Sequence, residues 1–323
     1  MSIGILLLSV FTFVELNCEN LFDCVHDSLK NDKEFLPQSE RHWTTFKYWD
    51  KVNNISRELI SCGADSTYTE WTLPDMMALC EVENDSVMRD ITRRSLLRKA
   101  GYEYVMTNSA DTRGIDVALM YSPMSFGLIN KLSFRLPVTS DMRATRDILY
   151  VSGIISNGDT LHVYVVHAPS RGGGERRSRP HRMLMAETLC SAIDSLRTLS
   201  ADAKIIVAGD FNDLATDSAV VKICRDGNLY NISEDATGCN GAKATYRYKG
   251  EWGSIDQILV SRNIKDMLIN CRINDAPFLL EEEKRYGGVK PKRTFTGFKY
   301  NKGFSDHLPL VARFEIYHRY RKF

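Results

Sequence analysis

Short apolar runs alternate along this chain with stretches of helical period, and a carboxylate, carboxamide or imidazole borders nearly every run. Ile205-Ile206-Val207-Ala208 leads straight into Gly209-Asp210-Phe211-Asn212-Asp213. With no polar residue to face water, the run reads as a buried strand that delivers its polar groups at its carboxyl end. Phe11 to Leu16 predicts a strand ending at Asn17, and Met76 to Cys80 one ending at Glu81. Val117 to Tyr121 follows Asp116 as a strand, and Ser122-Pro123 turns the chain. Ile148 to Ile154 and Leu161 to Val166 predict a hairpin around Asn157-Gly158, whose second arm runs into His167. Ile255 to Val260 and Leu308 to Ile316 complete the strands.

Between them lie helical patterns. Trp43, Phe46, Trp49, Val52, Ile55 and Leu59 recur on one face, with Gly63 as the stop. Asn84 or Asp85 can cap a helix carrying Val87, Ile91 and Leu97 and closed by Gly101. Met183 to Leu199 is amphipathic, with Pro180 near its start, and Asp217 to Gly227 brackets a short helix. Residues 275–304 are polar and irregular, and a loop of that length usually serves function or moves.

The chain also echoes itself. Gly114-Ile115-Asp116-Val117-Ala118-Leu119-Met120-Tyr121-Ser122 parallels Ser254-Ile255-Asp256-Gln257-Ile258-Leu259-Val260-Ser261. The order Asn17, Glu81, Asp116 returns as His167, Asp210, Asp256. Two similar α/β halves follow, with strand ends converging on one site. No linker divides them, so residues 1–323 read as a single domain.

Composition narrows the function classes. With 43% hydrophobic and 26% charged residues, the chain is an ordinary globular one. Its net charge of +1 excludes a whole-protein field for gripping duplex DNA. The eight cysteines form no Cys-x-x-Cys pair and no zinc pattern with His, so they read as reduced thiols. The apolar run Ile3 to Val14 lacks a preceding Lys or Arg and a following cleavage site, and it is too short to span a bilayer. Its second half reads as the first core strand, which implies a cytoplasmic protein without stable membrane insertion. Secretion or a periplasmic home is the alternative if the run belongs to a longer export signal.

Asn17, Glu81, His167, Asp210 with Asn212, Asp256, and Asp306 with His307 are therefore the candidate site residues. Carboxylates are rarely buried unless paired or metal-bound. Without Cys partners they are hard oxygen ligands, suited to Mg²⁺ or Mn²⁺. An Asp or His can take a proton from water, and Asn or His can donate to phosphoryl oxygens. Directly after His167 come Arg171, three glycines, and then Arg176, Arg177, Arg179 and Arg182, a segment suited to phosphate.

Leu16-Asn17-Cys18-Glu19-Asn20, Leu79-Cys80-Glu81-Val82-Glu83-Asn84, Arg113-Gly114-Ile115-Asp116, Val166-His167, Gly209-Asp210-Phe211-Asn212, Ser254-Ile255-Asp256 and Ser305-Asp306-His307-Leu308-Pro309 occur in that order. Together they resemble the endonuclease/exonuclease/phosphatase superfamily of Mg²⁺-dependent phosphoesterases. The resemblance implies a four-layer α/β sandwich, two mixed sheets face to face with helices outside. It implies a metal at Glu81, Asp306 and Asn17, with Glu19 as a second acidic position. Asp210 and Asn212 resemble the pair that activates and orients water. His307, held by Asp256, resembles the base or phosphate contact, and His167 the group that stabilises the pentacovalent phosphorus. Arg113, Arg171 and Arg176 are the phosphate-binding candidates. The expected reaction is in-line attack of water on a phosphodiester, nucleic acid being one such substrate. Alternatives are a phosphatase or sphingomyelinase-like enzyme and, more remotely, an inactive phosphate-binding scaffold.

Overall fold

The computed structural model describes residues 7–64, 71–138 and 143–318. The start of the apolar N-terminal run, Ile3 to Leu6, lies outside the described residues. Two six-stranded mixed sheets form the centre. The first runs β13 (Leu268–Ile273), β18 (Leu310–His318), β1 (Leu7–Leu21), β2 (Met76–Val82), β4 (Asp116–Tyr121), β3 (Glu103–Met106). The second runs β5 (Phe126–Phe134), β6 (Ile148–Ile155), β7 (Thr160–His167), β8 (Lys204–Asp210), β12 (Asp256–Val260), β9 (Tyr230–Asn231).

Their inner faces share one core, in which Phe13, Met76, Ala78 and Leu119 meet Val151, Val163, Ile206 and Ile258. Helices α1 (Thr45–Ser61) and α2 (Asp85–Arg93) cover the outer face of the first sheet through Val52, Ile55, Leu59, Val87 and Ile91. Helices α3 (Glu175–Leu199) and α4 (Ser218–Asp226) cover the second through Met185, Leu189, Ile193, Val220 and Ile223. This is the four-layer sandwich.

The internal echo is a repeat of topology. β1 pairs with β2 in parallel, β2 with β4 and β4 with β3 antiparallel. β7–β8–β12–β9 repeats the same three senses. Even the aspartate supports match: Thr107 donates its hydroxyl to Asp116, and Thr245 donates to Asp256.

Several elements differ from their sequence pattern. Helix α1 begins after Trp43 and buries Val52, Ile55 and Leu59 as the period predicts, but Phe46 is exposed and the buried face also takes in Lys51 and Glu58. Lys51 reaches inward to the Thr294 hydroxyl and the Phe304 carbonyl, which satisfy its buried ammonium. Helix α2 stops at Arg93, short of Gly101, because Ser95 accepts a backbone bond from Leu97 and starts a turn. Helix α3 begins at Glu175, with Pro180 inside it. Its first turns are rich in Arg, so no apolar period marks them. β5 carries no inward pattern, since it is an edge strand exposed along most of its length. The 275–304 segment holds two small hairpins, Leu280–Glu282 with Val289–Pro291 and Phe295–Thr296 with Lys299–Tyr300.

All eight cysteines are free thiols. No helix among the described residues is long and apolar enough to cross a membrane.

Glu58 is wholly buried, and neither of its carboxylate oxygens has a hydrogen-bond partner among the described residues. Burial lifts its carboxyl to about 8, with Lys51 pulling the other way. A carboxyl raised in the folded state contributes stability below its unfolded value, and that contribution is lost as pH rises through the folded one. Glu58→Gln should therefore raise Tm at pH 8 by ~2 °C or more, and by less at pH 5. A gain in Tm that is the same at both pH values would show that Glu58 is not held neutral by burial.

Candidate active site

The candidate residues meet in one cleft of ≈ 570 Å³ where the strand ends of the two sheets converge. Glu81, Arg113, His167, Arg171, Asp210, Asn212, Asp306 and His307 all line it. Backbone irregularities aim them. Register between β2 and β4 slips between Cys80 and Val82, and Glu81 at that bulge has φ +59°. A bulge re-aims its side chain, and a non-glycine residue in the left-handed region persists only where its surroundings hold it. Here the amide of Asn20 donates to Glu81 Oε2 at 2.7 Å, and Glu19 and Asn20 are themselves left-handed.

On the facing sheet, Gly209 lies at φ +147°, and a Cβ there would fall 1.8 Å from the Val166 carbonyl oxygen. Only glycine lets β8 approach β7 so closely, which sets Asp210 beside His167 in register.

Asn17 and Asp210 join the halves. Asn17 Nδ2 donates to Asp210 Oδ2 at 3.0 Å, while its Oδ1 accepts from the Glu19 amide at 2.9 Å. His307 Nδ1 lies 2.8 and 3.0 Å from the two Asp256 carboxylate oxygens, the hydrogen bond expected from the sequence. The Ser305 hydroxyl donates to the Asn17 carbonyl and accepts from the His307 amide, tying β1 to the loop before β18.

Burial and neighbours separate the titrating groups. Burial, then the Asp256 charge, pushes the Asp210 carboxyl up to about 7, with His307 opposing. Burial disfavours the charged form of His307, but Asp256, its hydrogen bond, Asp306 and Asp210 outweigh it and hold the ring well above the usual histidine range. His167 lies well below that range, through burial and then the Arg146 and Arg113 charges. Its Nε2, 3.6 Å from Asp210 and 3.8 Å from Glu81, is thus a neutral neighbour rather than an ion-pair partner. The cleft combines a carboxylate poised near neutrality, a charged imidazole and a neutral one, a division of labour suited to acid–base chemistry.

The arginines and Glu19 divide differently from the sequence reading. Arg113 lines the cleft half-exposed, 4.0 Å from Glu81, free to turn towards an anion. Arg171 also lines it, but its guanidinium is held by the Asn212 carbonyl, Glu175, Asp213 and Asp217. It braces the Asn212 turn. Arg176 stands exposed in the first turns of α3 and does not line the cleft. Asn212 donates one Nδ2 hydrogen to the Ala168 carbonyl, which fixes the turn beside His167, and it lines the cleft. Glu19 is held by Arg293 at 3.0 Å, Lys51 at 3.6 Å and the Thr294 amide at 2.7 Å. Two cations and a backbone amide engage it, and it does not line the cleft.

Three supporting residues carried no sequence signal on their own, Arg146, Thr245 and Tyr246, while a fourth, Arg293, reads in the sequence only as a further phosphate-binding candidate. Arg146 is buried, donates to Ala168 and Asp111, and adds positive potential beside His167. Tyr246 sets its ring 4.8 Å from that of His307. Arg293 bridges Glu19 to Asp306, each at 3.0 Å. Thr245 and Tyr246 precede the Ile255-Asp256 echo, and the Thr–Asp match with Thr107 and Asp116 is the one pattern that could have marked Thr245.

Two groups of donors could take a cation. Ligand atoms of Asp210, Asp256 and His307 lie within 4.8 Å of one another, all buried. Asp256 is occupied there by His307 and Thr245, which leaves that trio the form of a proton relay. Glu81 and Asp306 instead present carboxylates to the open cleft, each faced by an arginine, Arg113 and Arg293. Hard oxygens at a solvent-open position fit Mg²⁺ or Mn²⁺, which keep water for a phosphate to displace.

A sequence profile described as the endonuclease/exonuclease/phosphatase family matches residues 12–316. No curated relative matches the sequence. Among solved structures, a mannosyl-6-phosphatase of Bacteroides thetaiotaomicron is 16% identical with TM-score 0.60, over 94% of this chain and 98% of that one. Truncated Caenorhabditis elegans TDP2 is 14% identical with TM-score 0.57, over 94% and 97%. The human nocturnin catalytic domain, solved with a sulfate anion, is 17% identical with TM-score 0.55, over 97% of both chains. At such identities the likeness is one of fold. The profile match spans nearly the whole sequence, and this chain belongs to the endonuclease/exonuclease/phosphatase family of hydrolytic phosphoesterases.

Proposed function

We propose that this protein hydrolyses a phosphoester by in-line attack of water at phosphorus, with Mg²⁺ or Mn²⁺ held by Glu81, Asp306 and Asn17. The observation that carries this reading is the convergence on one cleft of Asp210, an Asp256-bound His307 and the open carboxylates of Glu81 and Asp306. The cation, when bound, neutralises phosphoryl charge and polarises the P–O bond. Asp210 accepts the proton of the attacking water, which frees the lone pair that forms the new P–O bond. Asp256 holds the Nδ1 side of His307, so its Nε2–H is left to donate to a phosphoryl oxygen as charge builds. His167 donates as a neutral imidazole. Arg113 pairs the remaining oxygens, and the P–O bond to the leaving alcohol breaks opposite the incoming water.

The phosphodiester reading fits this machinery when the scissile bond is terminal or belongs to a small molecule. A cleft of ≈ 570 Å³, a net charge of +1 and an Arg176 outside the cleft lining supply no track for a long polyanion. A phosphomonoester of a small alcohol is favoured by the same observations and is the second reading. Hydrolysis of matched phosphodiesters and phosphomonoesters, with Mg²⁺, Mn²⁺ or EDTA, tests both. Turnover should require the metal. No release from any member of the panel would leave a phosphate-binding scaffold. Metal-independent release would overturn the metal assignment.

Neutralising Arg176 and Arg177 together should change KM by less than about 2-fold, the scale of surface charges outside the binding cleft. Arg113→Gln should raise KM about 10-fold or more, as expected on losing a charge-assisted phosphate contact. The opposite ranking would return the binding role to the start of α3.

A further inference from the structure

One wall of the cleft takes no part in the chemistry above. The hairpin of β10 (Tyr246–Tyr248) and β11 (Glu251–Gly253) brings Tyr246, Tyr248 and Trp252 to the cleft, joined by Leu214, Ile255 and Glu251. Tyr248 is 60% exposed, a large ring left open to solvent at the mouth of a catalytic cleft. Trp252 divides the cleft from a second cavity of ≈ 470 Å³ on the other side of the hairpin. Arg247 lines only that second cavity and sits 5.4 Å from the Trp252 ring centroid. It is fixed by the carbonyls of Gly250 and Val289, so the tryptophan is braced from behind. Gly250 is left-handed, φ +91°, and a Cβ there would strike the Tyr286 ring, so the hairpin's turn is fitted to its neighbours. Tyr246 links the wall to the chemistry, since its ring lies against His307.

Braced aromatic faces with a carboxylate at their edge match a ring that bears hydrogen-bond donors. Rings stack on Trp and Tyr, and a carboxylate accepts from amino, imino or hydroxyl groups on the ring's rim. A ring-free alcohol would leave these faces uncovered. The geometry points to a specificity subsite on the β10–β11 hairpin that holds a ring-bearing moiety of the phosphoester, with Trp252 and Tyr248 stacking it and Glu251 reading its rim. The shared chemistry is a flat or puckered ring carrying donors, which a nucleoside or a sugar supplies. This inference rests on the proposed phosphoesterase reading for its phosphate anchor, but not for its ring contacts.

The test is equilibrium binding followed by isothermal titration calorimetry, which needs no turnover. The probes are a nucleoside 5′-monophosphate, a hexose 6-phosphate and glycerol phosphate, each with Mg²⁺, and the nucleoside without phosphate. At least one ring-bearing phosphate should bind tighter than glycerol phosphate, and the larger preference identifies base or sugar. In Trp252→Ala and in Tyr248→Ala that preference should shrink by roughly 5–150-fold, the range for loss of one stacked ring. Tyr248 is exposed enough for its variant to fold, which circular dichroism will confirm. Glu251→Gln should weaken the preferred ring compound while leaving the order of the three phosphates unchanged. Equal affinity for all three phosphates in the native protein, or a ring preference untouched by both aromatic substitutions, overturns the subsite. Hydrolysis absent while the ring preference persists would overturn the enzymatic reading and leave the subsite standing.

Discussion

Asp256→Asn should lower turnover by ~10²–10⁴-fold, the range for losing a positioned acid–base group. The substitution preserves shape, so folding is not the expected cause. Asp256 is fully buried, accepts from Thr245 and holds His307 Nδ1 at 2.8 Å. In the native site that carboxylate and its hydrogen bond, together with Asp306 and Asp210, outweigh the burial cost of charging the imidazole. Asparagine keeps a hydrogen-bond acceptor but removes the negative charge. His307 then reverts towards the neutral ring that burial favours and loses its strength as a donor. Two further effects follow. Asp210 owes part of its raised carboxyl to the Asp256 charge, though burial is the larger cause. The pH profile of kcat should therefore shift as well as fall, and a variant measured at one pH would mislead. Turnover near the native level across the pH range would show that Asp256 only caps its own loop.

Glu81→Gln is expected to abolish detectable hydrolysis and to weaken Mg²⁺ or Mn²⁺ binding by ~10-fold or more, measured by calorimetry without substrate. The reasoning is geometric. Glu81 stands at a bulge with φ +59°, oriented by the Asn20 amide. A glutamine there can keep the Asn20 contact through its carbonyl oxygen, so the backbone has no reason to relax. What it removes is the negative oxygen presented to the cleft. Arg113, 4.0 Å away, then loses its counter-charge and swings more freely. Metal titration unchanged from the native protein would exclude Glu81 as a ligand, whatever the fate of activity. Activity lost with metal binding intact would move Glu81 into the set that contacts the reacting phosphate.

Much of this site was legible in the chain before any fold was known. Apolar runs bordered by Asn17, Glu81, His167, Asp210 and Asp256 were legible because a buried strand must be continuous and apolar, while its end is the first place a polar group can stand. The repeat of Asn17, Glu81, Asp116 as His167, Asp210, Asp256 was legible because two halves of like topology place like residues at like strand ends. The Asp256–His307 bond followed from that echo and from the neighbouring Asp306.

Tertiary structure decided the rest, and in each case through partners distant in sequence. Arg171 and Arg176 look alike along the chain, yet the α4 cap Asp217 and the buried Asp213 hold the first, while nothing brings the second to the cleft. Glu19 reads in the sequence as a second acidic position, and the fold adds Arg293 and Lys51, from a late loop and from α1, beside it. Phe46 matches the helical stripe yet is exposed, while Lys51, which no apolar pattern marks, is buried through its reach to Thr294. Edge strand β5 has almost no inward face to leave a pattern. Periodicity records which residues leave water within one element. Which charge meets which across the sandwich depends on loop paths and register, and no local pattern encodes those.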